Sequence, residues 1–142
     1  MLIGEYRYSI DDKKRVSIPA KWQSELGKKV IVTRGLDGCL FLYSQKEWKK
    51  LVEKISKLPL GQRDSRGFQR IMLSGAMEVS IDTLGRILIP DYLKKYADLK
   101  KKVVIVGLYN HAEIWDEGRW EEYQAKSEKE VGDMAERLSQ LI

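Results

Sequence analysis

Two short segments carry the side chains best suited to chemistry. Asp11 stands four residues before Arg15 in SIDDKKRVSIP, residues 9–19, and Asp82 stands four before Arg86 in SIDTLGRILIP, residues 80–90. Where a strand ends on Asp and the next begins on Arg, the two side chains come close across a tight turn. The carboxylate can accept turn N–H groups and orient the guanidinium. A held guanidinium matches guanine O6 and N7 with paired hydrogen bonds, or grips a phosphate, and a β-ribbon is narrow enough for the major groove. The same Asp–Arg pair also serves as a plain structural salt bridge, which contributes little when exposed. Pattern alone leaves both readings open.

The turns differ in their other residues. The first has Lys13 and Lys14 beside Arg15, three adjacent cations that favour phosphate contact. The second has Thr83 and Gly85, and the glycine allows a close backbone approach or a positive φ. On the DNA-binding reading, Arg15, Arg86, Lys13, Lys14 and Thr83 are the candidate contacts, with Asp11 and Asp82 as orienting residues; on the other reading, the pairs are structural salt bridges.

The two segments belong to a longer repeat. A shift of 71 superimposes Ser9, Ile10, Asp11, Arg15, Ile18 and Pro19 on Ser80, Ile81, Asp82, Arg86, Ile89 and Pro90. A shift of 72 then places Ile31-Val32 on Val103-Val104, Gly35-Leu36 on Gly107-Leu108, Tyr43 on Trp115 and Trp48 on Trp120. An ordered series of this length marks an internal duplication.

Each copy predicts the same elements. An alternating strand leads into the Asp turn, a short β-branched strand leaves the Arg, and Pro opens a brief helix. A second hairpin follows, turning at Gly35-Leu36-Asp37-Gly38 in the first copy, and a helix closes the unit. Trp48, Leu51, Val52 and Ile55 mark that helix in copy one. Residues 65–74 predict a linking helix through Phe68, Ile71 and Met72. In the C-terminal helix, Trp120, Tyr123, Val131, Met134, Leu138 and Leu141 form an apolar stripe that suits either intramolecular packing or a subunit contact. Four short strands cannot bury both faces alone, whereas two interlocked copies can close into a small barrel without exposed edges. The expected class is α+β: a barrel of two tandem repeats with flanking helices. Its expected divisions are 1–58, a linking segment 59–75, and 76–142.

Composition sets the outer limits. The chain has 142 residues, 43% of them hydrophobic, and a net charge of +5. Residues 116–142 hold eight acids and four bases, so the remaining body is markedly basic. A basic body attracts polyanions, although charge alone is weak evidence. The single Cys39 excludes an intrachain disulfide and a Cys-rich zinc site. Neither a signal-type apolar region nor a membrane-length run is found, which leads us to expect a soluble cytoplasmic protein without membrane contact. No phosphate loop, dinucleotide fingerprint or zinc-ligand spacing occurs, so neither cofactor nor metal is expected. Cys39 and His111 fall on equivalent places in different halves; a buried thiol and a turn histidine explain them better than a catalytic dyad. The expectation is a non-enzyme.

Beyond these readings, the chain resembles the MraZ family of bacterial regulators, which carry two tandem AbrB-like halves. The likeness runs through Gly4-Glu5-Tyr6-Arg7, residues 11–19, Thr33-Arg34-Gly35-Leu36-Asp37 with Cys39-Leu40, and Glu47-Trp48. It continues through Arg66-x-Phe68-x-Arg70, Ser74-Gly75-Ala76, residues 82–86, Ile114-Trp115 and Trp120. The resemblance implies an AbrB-like swapped-hairpin barrel and a ring-shaped homo-oligomer. It implies a nucleoid-associated repressor that binds double-stranded DNA at repeated promoter boxes of the operon for cell division and cell-wall synthesis. The family's Asp-x-x-x-Arg pairs map onto Asp11 with Arg15 and Asp82 with Arg86. One departure stands out: the family usually has Gly before the first Arg, where this chain has Lys14. An AbrB-like antitoxin, which binds DNA and wraps a partner toxin with its tail, is the alternative. A purely structural ring protein is a third reading, without salt-sensitive DNA binding.

Overall fold

A computed structural model describes residues 1–142. Its strands are β1 (Leu2–Ser9), β2 (Arg15–Ser17), β3 (Lys29–Arg34), β4 (Leu40–Ser44), β5 (Met77–Ser80), β6 (Arg86–Leu88), β7 (Lys102–Tyr109) and β8 (Ala112–Asp116). Its helices are α1 (Gln23–Leu26), α2 (Gln45–Ser56), α3 (Arg63–Ser74), α4 (Asp91–Tyr96) and α5 (Glu117–Leu138).

Six strands form one antiparallel sheet in the order β1-β7-β8-β4-β3-β5, and β2 pairs with β6 as a separate two-stranded ribbon. Only β3–β4 and β7–β8 are local hairpins. β1 of the first half pairs with β7 of the second, while β5 pairs back onto β3 and β4 meets β8. The halves therefore exchange strands. The expected closed barrel is not formed by the ladders: β1 and β5 are opposite edges of an open sheet. Each runs through an Asp turn into the ribbon, whose Val16 and Ile87 are buried in the larger core. Only the five turn residues 10–14 and 81–85 separate each edge strand from its ribbon strand.

Alternation along the central strands explains why both sheet faces are covered. Val30, Val32, Leu40, Leu42, Val103, Ile105 and Ile114 point into the larger core with Val16, Ile18, Ile87 and Ile89 from the ribbon segments. Ile31, Phe41, Tyr43, Val104, Val106 and Trp115 point the other way, beneath the longer helices. Pro19 and Pro90 stand just before the helical turns that follow the ribbon, and their carbonyls accept from Trp22 N and Leu93 N. Fixed φ and a missing N–H suit proline to a helix start.

The longer helices begin on equivalent caps. Ser44 Oγ accepts from Glu47 N at 3.2 Å, and Asp116 Oδ2 accepts from Arg119 N at 3.3 Å, satisfying first-turn donors. In α2, Ile55 is buried, with Trp48 and Leu51 packed against the same core. The linking helix is longer than residues 65–74 and turns differently: Met72 is buried, but Phe68 and Ile71 face outward. Trp120 and Tyr123 of α5 pack on Trp115 at ring separations of 5.4 and 5.1 Å. Beyond them Val131, Leu138 and Leu141 are exposed, so the apolar stripe divides between packing and open surface. No helix is long and apolar enough to cross a membrane.

Candidate functional site

The two Asp-to-Arg turns lie side by side because their outgoing strands pair. Arg15 stands opposite Leu88, Val16 opposite Ile87, and Ser17 opposite Arg86. The pairing extends past the ribbon: Ile18 N donates to Gly85 O at 2.8 Å, and Ile89 N donates to Lys14 O at 2.9 Å. Each outgoing strand thus locks the other copy's turn. At the entrance, Ile10 N donates to Lys101 O and Ile81 N to Lys28 O, tying each turn to the other half of the chain.

Within each turn the bonding is nearly identical. Asp11 Oδ1 accepts from Lys13 N and Arg15 N, both at 2.9 Å, and Oδ2 accepts from Arg15 Nε at 3.2 Å. Asp82 Oδ1 accepts from Leu84 N and Arg86 N, both at 2.9 Å, and Oδ2 accepts from Arg86 Nε at 3.1 Å. One carboxylate therefore folds the turn and holds the guanidinium. Because Nε makes that bond, the terminal nitrogens remain for other acceptors. The Arg15 backbone N–H lowers the Asp11 pKa from its ordinary value, with the Lys13 N–H and the Arg15 side chain acting the same way. The Arg86 backbone N–H does likewise for Asp82, aided by Leu84 N–H and the Arg86 side chain. Donors that favour the charged carboxylate have this sign.

Lys14 adopts φ +63°, the counterpart of Gly85 at φ +76°. The departure at Lys14 leaves the turn geometry intact and places a side chain where the second turn has none. That side chain forms an ion pair with Asp91 at the start of α4. Opposite it, the α1 residue Gln23 fills the space beside Gly85, where an added Cβ would collide with its amide; Gln23 Nε2 donates to Ile18 O at 3.1 Å. Lys13 and Thr83 are exposed on the turns. Leu84, the counterpart of Lys13, is 73% exposed.

Several neighbours did not emerge from the sequence. Lys28 and Lys101 are exposed beside the turn entrances, placed there by carbonyl bonds between distant segments. Arg86 Nη1 also lies 3.7 Å from Asp11 Oδ2, joining the two turns. Leu88 is 52% exposed opposite Arg15. No local pattern signals these contacts, because each joins one half of the chain to the other.

The cysteine and histidine have ordinary surroundings. Cys39 Sγ donates to Leu36 O at 3.1 Å, and burial pushes its thiol well up. His111 stacks on Tyr43 at 5.0 Å, faces Asn110 Oδ1 at 2.8 Å, and has its pKa lowered by burial. A raised thiol pKa opposes thiolate nucleophilicity.

Comparison with known proteins adds to this geometry. The family model described as "MraZ protein, putative antitoxin-like" matches residues 1–71 and again residues 72–142. The chain belongs to the MraZ family. It is 48% identical to a protein of Caldicellulosiruptor saccharolyticus named "Transcriptional regulator MraZ", with 99% of each chain covered. A protein of that name from Ligilactobacillus salivarius is 49% identical, over 97% of this chain and 96% of the relative. Another, from Clostridium tetani, is 46% identical over 99% of both chains. This family member keeps the glycine turn at Gly85 and reproduces its backbone at Lys14.

Proposed function

We propose that the chain is a sequence-specific DNA-binding transcriptional regulator whose β2–β6 ribbon enters the major groove. The observation carrying this reading is the pair of guanidinium groups, Arg15 and Arg86, each held through Nε on its own aspartate in one ribbon. The terminal nitrogens of Arg15 and Nη2 of Arg86 make no aspartate contact and are available for guanine edges or phosphates, while Arg86 Nη1 lies 3.7 Å from Asp11 Oδ2. Asp11 and Asp82 orient them. Lys13 and Thr83 contact the backbone at the turns, with Lys28 and Lys101 as flanking cations; Lys14 contributes less because Asp91 already pairs with it. The name shared by the relatives supports regulation of transcription. Strand exchange between the two halves supports an AbrB-like swapped-hairpin architecture, with functional halves at 1–58 and 76–142 around the link.

The regulator acts as a closed homo-oligomeric ring in the cytoplasm at the nucleoid, repressing its own division and cell-wall operon through repeated boxes. Linked ribbons convert later contacts into intramolecular ones and raise avidity. Outward Phe68 and Ile71 on α3, and the bare distal part of α5, offer surfaces for assembly. Footprinting on the DNA upstream of its own gene tests the reading: repeated protected boxes support it, and uniform cleavage opposes it.

An antitoxin role is the second reading, favoured by the family description and the exposed distal half of α5. It requires a toxin that binds the tail. Specific promoter repression with α5 truncated after Tyr123 would favour the regulator over that role.

A further inference from the structure

Val16 and Ile87 form the central pair of the ribbon, and their side chains are 1% and 0% exposed. Side chains alternate along each strand, so Arg15, Ser17, Arg86 and Leu88 share the opposite, outward face. Arg15 lies directly opposite Leu88, and Arg86 directly opposite Ser17. The two arginines are therefore related by the local two-fold of the repeat, but their cross-strand neighbours differ: one is apolar and one carries a hydroxyl.

Directly opposed residues have Cβ atoms about 4.5–5.5 Å apart. This distance is about one and a half base-pair steps of roughly 3.4 Å. A side chain opposite a base-reading arginine thus reaches the same base pair or the next. The apolar feature offered by the major groove is the thymine C5 methyl, whereas serine can hydrogen-bond several base edges. Leu88 has no polar atom for a phosphate or a base edge, and it is the large apolar side chain on this outward face.

Resting on the proposed DNA-binding function, we infer that Leu88 and Ser17 determine specificity: Leu88 packs on the methyl of a thymine neighbouring the guanine held by Arg15, and Ser17 hydrogen-bonds a base edge near Arg86. Each ribbon then reads an asymmetric box. Its guanine positions follow the two-fold, while the adjacent positions do not. Thymine is favoured beside one arginine and not beside the other.

Replacing single thymines by uracil removes only the methyl group, so the wild-type full chain provides the decisive test. Its preferred site is first selected from random double-stranded DNA. Fluorescence anisotropy then measures binding to that site with each thymine replaced in turn. One uracil should weaken binding about fourfold, the factor expected for losing burial of roughly one methyl group. Leu88→Ser should be insensitive to that uracil, and Ser17→Leu should acquire sensitivity on the opposite side of the box. If no uracil changes wild-type affinity, or if Leu88→Ser stays equally sensitive, the inference fails while the regulator reading stands. If the wild-type chain selects no sequence, the regulator reading fails and takes the inference with it. Leu88→Ala, a milder truncation, serves as the second variant and should likewise lose sensitivity to that uracil.

Discussion

Arg86 contacts both aspartates: its Nε bonds Asp82 Oδ2 at 3.1 Å, and its Nη1 lies 3.7 Å from Asp11 Oδ2. Arg15 bonds only its own Asp11. Asp11 is therefore shared between two cations, and Asp82 is not. Truncating either Arg15 or Arg86 to alanine should weaken specific DNA binding about 5- to 150-fold, the span of one lost bidentate contact. Asp11→Asn should cost more affinity than Asp82→Asn, because it loosens two guanidinium groups. Gel shifts on the footprinted site, with circular dichroism to verify the fold, compare the four variants. Equal losses for the two asparagine variants would remove the shared role of Asp11.

Lys14 should respond unusually to substitution. A non-glycine residue at φ +63° is strained, by about 1 kcal/mol. Lys14→Gly relieves that strain at the expense of an exposed ion pair with Asp91, which is worth little. Unfolding in urea should therefore show Lys14→Gly more stable by about 0.5–1 kcal/mol. Gly85→Ala should be destabilised by about 1 kcal/mol or more, since it adds strain and presses on Gln23.

The aspartates also give the turns an acid limit. Their carboxyl pKa values are lowered from 3.8, chiefly by the backbone N–H groups of Arg15 and Arg86. A lowered folded-state pKa contributes stability that is present above the unfolded value and lost as pH falls through the folded one. The stability advantage over the double variant Asp11→Asn, Asp82→Asn should be constant above about pH 5 and shrink below the ordinary aspartate value. Thermal melts across this range measure it; an advantage that grows on acidification would contradict the sign.

The local grammar was readable in the sequence, and the long-range pairing was not. Asp-to-Arg spacing, the following proline and the Trp48-to-Ile55 stripe each act within a few residues, so their contacts follow from residue type. The choice of strand partners does not: β3 and β7 alternate alike, and nothing local tells β1 to pair with β7. The open six-stranded sheet, in place of a fully closed barrel, depends on the same partner choice. Lys14 shows an intermediate case. Lysine does not signal positive φ, but its alignment with Gly85 does. Its pairing with Asp91 and the second contact of Arg86 required the two halves to be placed together.

Salt dependence separates the two adjacent lysines of the first turn. Lys13 is exposed and has no ion pair, whereas Lys14 is paired with Asp91. A lysine that neutralises a phosphate releases counterions and steepens the salt dependence of binding, by about 0.9 in the logarithmic slope per contact. Lys13→Ala should flatten the slope by about that amount and weaken binding across sequences alike. Lys14→Ala should change it less, because its positive charge is already opposed by Asp91 and its removal frees that carboxylate near the DNA. Asp91→Asn should then strengthen binding at low salt while leaving the sequence preference unchanged. Anisotropy titrations at several salt concentrations distinguish these outcomes; a larger slope change for Lys14 than for Lys13 would show that Asp91 releases Lys14 to a phosphate on binding.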